Sequence, residues 1–310
     1  MYTVDDLGMP QPTNNALPKC IVMIIYQLDN YIHYLQLITR IYLVAVNLLK
    51  FEYIFYNIMK IQYASDLHLD HLKIVDYESL ITPVGDVLVL AGDICGTCAR
   101  AQRIFYPFIK WCCSRFKHVL LVAGNHEYYR TSIVLGDKFL TVVAKHFNNF
   151  HFMNKKTMKI EGIIFLGVTL WSDIPPEHVD VVASHLNDFN YIRDFNTNVF
   201  AMLHKDHAAW LESELISHGE KKIVVITHHA PLMNGTSDPK YTGLPTNHGF
   251  ATDLGDLVAC ANYWICGHTH HCASIEYEDC TVLLNCLGYP SEFVGYSPTA
   301  CFEIVSDKKN

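Results

Sequence analysis

The chain has 310 residues, is 50% hydrophobic and carries a formal net charge of −8. That is enough for one large α/β core, with or without a small appendage, and the acidic balance without clustered Lys and Arg argues against a nucleic-acid backbone as partner. Its 11 cysteines are odd in number and irregularly spaced, which excludes a disulfide framework and points to a reducing, cytoplasmic compartment.

Residues 1–58 differ in character from the remainder of the chain. Met1 to Lys19 is polar and Pro-bearing and reads as disordered, whereas Cys20 to Met59 is dense in Ile, Leu, Tyr and Asn. Asp29, Arg40, Lys50 and Glu52 break the apolar runs, so no uncharged stretch of about 18 residues exists to span a bilayer. Arg40 or Lys50 near a bilayer centre would cost about 2.5–3.5 kcal/mol, which makes membrane association through residues 20–59 the weaker reading. Asp5 and Asp6 stand where a signal peptide should be basic. Met59 to Asp66 reads as the start of a domain. The division expected is therefore an N-terminal extension, 1–58, that is hydrophobic, disordered or a mis-assigned start, and a single domain, 59–310.

Within that domain Ile61 to Ala64, Val87 to Ala91 and Val119 to Ala123 are apolar runs of strand length. They are followed by Asp66-Leu67-His68, Gly92-Asp93 and Gly124-Asn125-His126-Glu127 respectively. Cys95-Gly96-Thr97-Cys98 has no second C-x-x-C to complete a zinc site and reads as two separate thiols. Arg100 to Lys117 has the apolar spacing of a helix, with Pro107 bending or starting it, and Thr131 to Phe147 forms another. Arg100, Arg103 and Arg130 read as solvated surface residues.

Ile163 to Leu170 is a strand that delivers Trp171, either to stack on a substrate ring or to fill the core. Pro175 to Asn198 is an insertion suited to a wall or lid. Val199 to His218 is a helix leading into the strand Lys222 to Thr227, and Thr227-His228-His229 closes that strand. Asn234 to Gly249 is a loop bordering the pocket, its His248 facing solvent. Gly267-His268-Thr269-His270 is the fifth ligand-rich block, and His229 and His271 read as structural. Ser274 to Tyr277, Thr281 to Asn285 and Ala300 to Val305 have the pattern of strands in a second sheet. Most of the ligand-rich blocks thus lie at strand ends, where α/β sheets gather ligands.

The ordered series D-x-H, G-D, G-N-H-E, a His after a strand, and G-H-x-H resembles the calcineurin-like metallophosphoesterases over residues from about 59 to the C-terminus. The resemblance implies an α/β fold of two packed mixed β-sheets flanked by helices. It also implies that Asp66, His68 and His270 hold one metal, that Asn125, His228 and His268 hold another, and that Asp93 bridges both. His126, left without a metal, would face the substrate as the catalytic histidine.

Phosphate esters repel nucleophiles, and two cations about 3.5–4 Å apart answer this by lowering the pKa of a shared water and neutralising phosphoryl charge. Imidazole, carboxylate and carboxamide together suit Mn first, with Fe or Zn as alternatives. The second Asp and the arginines of Ser/Thr protein phosphatases are missing after Asp93 and Glu127. The expected substrates are therefore phosphodiesters or small phosphorylated metabolites, cleaved through a metal-bridging hydroxide. The rivals are a catalytically silent interaction scaffold on the same fold and a nuclease. Oligomeric state is not encoded in any recognisable pattern.

Overall fold

The structure is a computed structural model and describes residues 19–73, 76–219 and 221–307. It divides into two units, Met1–Phe55 and Tyr56–Asn310. The first contains α1, Lys19–Phe55, a 37-residue helix in which Asp29 and Arg40 interrupt the apolar sequence. No helix among the described residues is long and apolar enough to cross a membrane. The disorder expected for the first residues of the chain falls, up to residue 18, outside the described residues.

The second unit begins with β1, Tyr56–Ala64, three residues before Met59. Next in order are α2 (Tyr77–Leu80), β2 (Val87–Ala91), α3 (Gln102–Arg115), β3 (His118–Val122), α4 (Ile133–His146), β4 (Phe150–Phe152), β5 (Lys156–Ile160) and β6 (Ile163–Gly167). The insertion folds as two short helices, α5 (Val179–His185) and α6 (Asp188–Tyr191), and leads to α7 (Thr197–His218) and β7 (Ile223–Ile226). The chain ends with α8 (Gly255–Val258), β8 (Tyr263–Cys266), β9 (Cys272–Tyr277), β10 (Cys280–Asn285) and β11 (Cys301–Asp307).

These strands form two mixed sheets, ordered β11-β1-β2-β3-β4 and β5-β6-β7-β8-β10-β9. Within each the central strands are parallel; β11, β5 and β9 are antiparallel edges, while the edge strand β4 is parallel to β3. Strands buried on both faces explain the continuous apolar runs, because successive side chains point to opposite sides. In β2, Val87, Val89 and Ala91 enter the layer between the sheets, while Leu88 and Leu90 meet the helical layer. In the second sheet Ile163 and Phe165 of β6, with Val224 and Ile226 of β7, face that same central layer. Ile164, Leu166, Ile223 and Val225 pack outward beside Leu211 and Leu215 of α7. Each fully buried aliphatic side chain contributes about 1.5–3 kcal/mol.

Several expectations change at this level. The final strand, β11, joins the first sheet rather than the second, antiparallel to β1 with Met59 opposite Ile304 and Ile61 opposite Phe302. Burial of Met59 and Ile304 in the central layer supplies the reason. Of the two roles expected of Pro107, starting α3 is excluded, since it sits within the helix, which begins at Gln102. Trp171 is 1% exposed and packs on Phe195 and Phe200, so it fills the core and is unavailable to a substrate ring.

Candidate metal centre and active site

The carboxyl ends of β1, β2 and β3 meet those of β7 and β8 at one rim of the two sheets. Backbone hydrogen bonds stitch the loops together there: Asp66 N–H donates to Gly92 O at 3.0 Å, His68 N–H to Asp93 O at 3.0 Å, and Gly267 N–H to His228 O at 2.9 Å. Asp66, His68, Asp93, His268 and His270 all have positive φ, between 42° and 68°. Left-handed backbone costs non-glycine residues roughly 1–3 kcal/mol each and persists where surroundings over-determine it. Here the cross-loop bonds do so, and the conformation turns these side chains back over the rim. Gly124 permits the close approach, since a Cβ there would lie 2.7 Å from His228 Nε2 and nearer still to the Asp93 carboxylate.

Three groups of donor atoms converge, each within 4.8 Å: Asp66, His68 and His270; His68, Asp93 and His126; Asp93, His228 and His268. Nε2 of His68 lies 3.0 Å from Nε2 of His270, and Asp66 Oδ1 lies 3.5 Å from the latter. On the other side His228 Nε2 is 3.3 Å from Asp93 Oδ1 and 3.1 Å from Asn125 Oδ1. All seven residues expected to ligate metal, Asn125 included, thus fall in one contiguous cluster.

The remaining ring nitrogens decide what the cluster can do. His228 Nδ1 lies 2.8 Å from Ala91 O, and His270 Nδ1 lies 2.5 Å from Glu292 Oε2. A carbonyl and a carboxylate only accept, so each Nδ1 carries a proton, and Nε2 is the ring nitrogen turned toward the carboxylates. Nε2 of His268 is buried without a partner. Imidazole nitrogens turned inward around two carboxylates fit divalent cations, which would displace the proton that Asp93 draws to His228.

Electrostatics agree. Burial alone would raise Asp93, but the imidazoles of His228, His126 and His68 outweigh it and hold the carboxyl well below its usual range. Burial alone would lower His228, and the Asp93 carboxylate reverses that to about 10. The carboxylate draws positive charge to this point, and a cation supplies it as well as a proton does. Burial lowers His68 to about 2 and His268 well below the ordinary imidazole value, leaving both neutral and ligand-competent.

His126 points into the same space, its Nε2 4.0 Å from Asp93 Oδ2. Its ring stacks on Tyr129 with centroids 4.0 Å apart, and the Tyr289 hydroxyl lies 3.1 Å from Nε2. His229 is buried against His268, 4.1 Å between centroids, which agrees with a structural place for it. His248 stacks on His178, with ring centroids 5.1 Å apart. Cys95 and Cys98 are free thiols, and burial pushes the Cys95 thiol up, away from reactivity.

Four supporting residues were not assigned roles from the sequence. Glu127 accepts backbone N–H groups from Asp93 (2.8 Å), Ile94 (2.7 Å), Cys95 (3.2 Å) and Gly124 (2.6 Å), tying the β2 loop to the β3 loop. Burial and the Asp93 charge push its pKa up, while these donors favour the ionised form. Asp188, on α6, accepts from Asn125 Nδ2 and from Tyr129 Oη, both at 2.7 Å, and so aims the Asn125 carbonyl at His228. Glu292 and Tyr289 lie beyond β10. Glu127 was visible as the last letter of G-N-H-E, whereas nothing in the spacing of Asp188, Tyr289 or Glu292 relates them to the motifs. The insertion does border the site, through Asp188, Asn187 and Tyr191.

A cluster of carboxylate and imidazole donors at the carboxyl rim of two packed mixed sheets defines a metal-binding hydrolase fold. The family model for Calcineurin-like phosphoesterase matches residues 59–272, and the chain belongs to that family. Membership makes it a hydrolase acting on phosphate esters, with His and Asp clusters suited to divalent metal. A mimivirus protein, L509 of Acanthamoeba polyphaga mimivirus, described as uncharacterized, is 28% identical over 272 residues, 79% of this chain and 96% of that one. The phosphopantetheinyl hydrolase of Mycobacterium tuberculosis shares the fold with a TM-score of 0.58 at 17% identity, covering 74% of this chain and 90% of its own. A dimetal phosphatase from Danio rerio aligns with a TM-score of 0.50 at 12% identity, covering 81% and 93%.

Proposed function

We propose that this chain hydrolyses phosphodiesters or small phosphorylated metabolites with two divalent cations, Mn²⁺ foremost. Asp66, His68 and His270 would hold one, Asn125, His228 and His268 the other, and Asp93 both. The reading is carried by one observation: His228 and His270 each bond an acceptor through Nδ1 and turn Nε2 toward the Asp93 and Asp66 carboxylates. Cations bound there lower the pKa of water and offset phosphoryl charge.

The chain's own residues supply the rest. His126 contacts the phosphoryl group or protonates the leaving oxygen, work worth about 10²–10⁴-fold for a well-placed imidazole. Tyr129 and Tyr289 hold its ring, and the hydroxyl of Tyr289 bears on the reacting nitrogen. Asp188 keeps the neutral Asn125 oxygen turned inward. The substrate is a small molecule and the setting cytoplasmic in this reading.

The test is hydrolysis of p-nitrophenyl phosphate and bis(p-nitrophenyl) phosphate with Mn²⁺ and with chelator, using Asp93→Asn to expose contaminating activity. Chelator-sensitive turnover that disappears in Asp93→Asn is expected, and the ratio of the two substrates separates monoesterase from diesterase. No turnover in a metal-loaded protein would overturn it in favour of a scaffold.

A further inference from the structure

A cavity of about 430 Å³ adjoins the candidate active site, and its lining includes His126, Tyr289, Arg100 and Arg130. That volume lies in the range of small-ligand sites, about 300–1,000 Å³. Both arginines read from the sequence as solvated surface residues and both are exposed, and they line this cavity together with His126. Among the described residues neither guanidinium has an ion pair or a side-chain hydrogen bond, and Asp70 is the one carboxylate on the lining. Arg103, a turn along from Arg100, lies outside it.

The placement of Arg130 is enforced. Its backbone is left-handed, φ 62°, a conformation that costs a non-glycine residue free energy. The Arg130 N–H donates to Tyr191 O at 2.8 Å, and Arg193 N–H donates to Thr131 O at 2.8 Å, so the insertion clamps the loop on both sides. The same clamp sets Tyr191 against Tyr129, 5.3 Å between centroids, and both rings line the cavity.

We propose that this cavity is a subsite for a second phosphate, so that the substrate class is a phosphate ester bearing another phosphate beyond the scissile one. The proposal rests on the phosphoesterase reading above. Planar guanidiniums bind phosphate through paired, charge-assisted hydrogen bonds, and two of them together outweigh the single Asp70. Tyr129 and Tyr191 then face the organic part that links the two phosphates.

The test is calorimetric binding of thymidine 3′,5′-bisphosphate, thymidine 5′-monophosphate and a 3′-succinyl 5′-monophosphate, as slowly hydrolysed phosphorothioates, to the Mn²⁺-loaded full chain. The bisphosphate is expected to bind on the order of tenfold tighter than the monophosphate. Arg100→Ala with Arg130→Asn, chosen because Asn tolerates left-handed backbone, should bring the ratio near one, while Arg103→Ala keeps it. Equal affinities in the wild type, or a ratio that survives the double substitution, overturn the subsite. An equal gain from the succinyl compound overturns its assignment to phosphate. Turnover of bis(p-nitrophenyl) phosphate in the same preparations separates the two readings: retained turnover with no preference strikes the subsite alone, and absent turnover strikes the phosphoesterase reading while the binding ratio is still read.

Discussion

The hydroxyl of Tyr289 lies 3.1 Å from Nε2 of His126, and its ring stacks on His68 with centroids 4.6 Å apart. One side chain from the loop after β10 therefore touches the candidate proton-handling histidine and a candidate metal ligand together. Tyr289→Phe keeps the stacking and removes the hydroxyl. It should lower kcat by about tenfold and leave KM within about twofold, because the lost bond acts on the reacting nitrogen rather than on substrate binding. Steady-state kinetics with a pH–rate profile reads this. A wild-type kcat with an unmoved profile retires the role.

Asp188→Ala should release Asn125. Partners that orient a ligand typically account for about 10–100-fold in metal affinity. Metal content after dialysis against a buffered chelator should fall accordingly, with the fold intact by circular dichroism. Full retention of metal would show that Asn125 holds its orientation unaided.

Glu127→Gln places an amide donor where four backbone N–H groups converge. At least one buried donor loses its acceptor, a loss of about 1–3 kcal/mol. Urea unfolding of the metal-free protein should show a lower midpoint at unchanged slope. An unshifted midpoint would mean that these loops do not depend on the carboxylate.

Acid stability should depend on His207, buried on α7 with Nδ1 unpartnered. Burial lowers its pKa to about 4. Between about pH 6.5 and 4 the unfolded chain binds a proton that the folded chain refuses, so this stabilisation is complete above 6.5 and lost as pH falls. The full loss is about 3 kcal/mol. His207→Phe should flatten unfolding free energy over that window, and an identical pH slope in both proteins would contradict the assignment.

Cation binding to the folded chain alone should raise thermal stability. Mn²⁺ at about a hundred times its Kd adds about 2.7 kcal/mol, and chelator should remove that gain. Asp93→Asn should be insensitive to Mn²⁺ in calorimetric scans. A shift of equal size in that variant would place the metal elsewhere.

The sequence by itself determined the scaffold and named the candidate donors that the fold brings together. Strands such as Val87–Ala91 are legible because period-two alternation with both faces buried yields an unbroken apolar run, and the residues just past those runs inherit the carboxyl rim. Asp66, His68, Asp93, Asn125, His126, His228, His268 and His270 lie within motifs whose order matches the order of the strands. Tertiary structure decided everything that depends on contacts between distant segments. Asp188 reaches Asn125 across 63 positions, and Tyr289 reaches His126 across 163. Arg100 and Arg130 line one cavity, with the Arg130 loop held by backbone hydrogen bonds from the insertion. The assignment of β11 to the first sheet rests on burial of Ile304 against Met59. Local patterning sets which face of a strand is apolar, but it carries no record of which surface meets that face. Partners that support a motif from other loops are therefore invisible until the chain is folded.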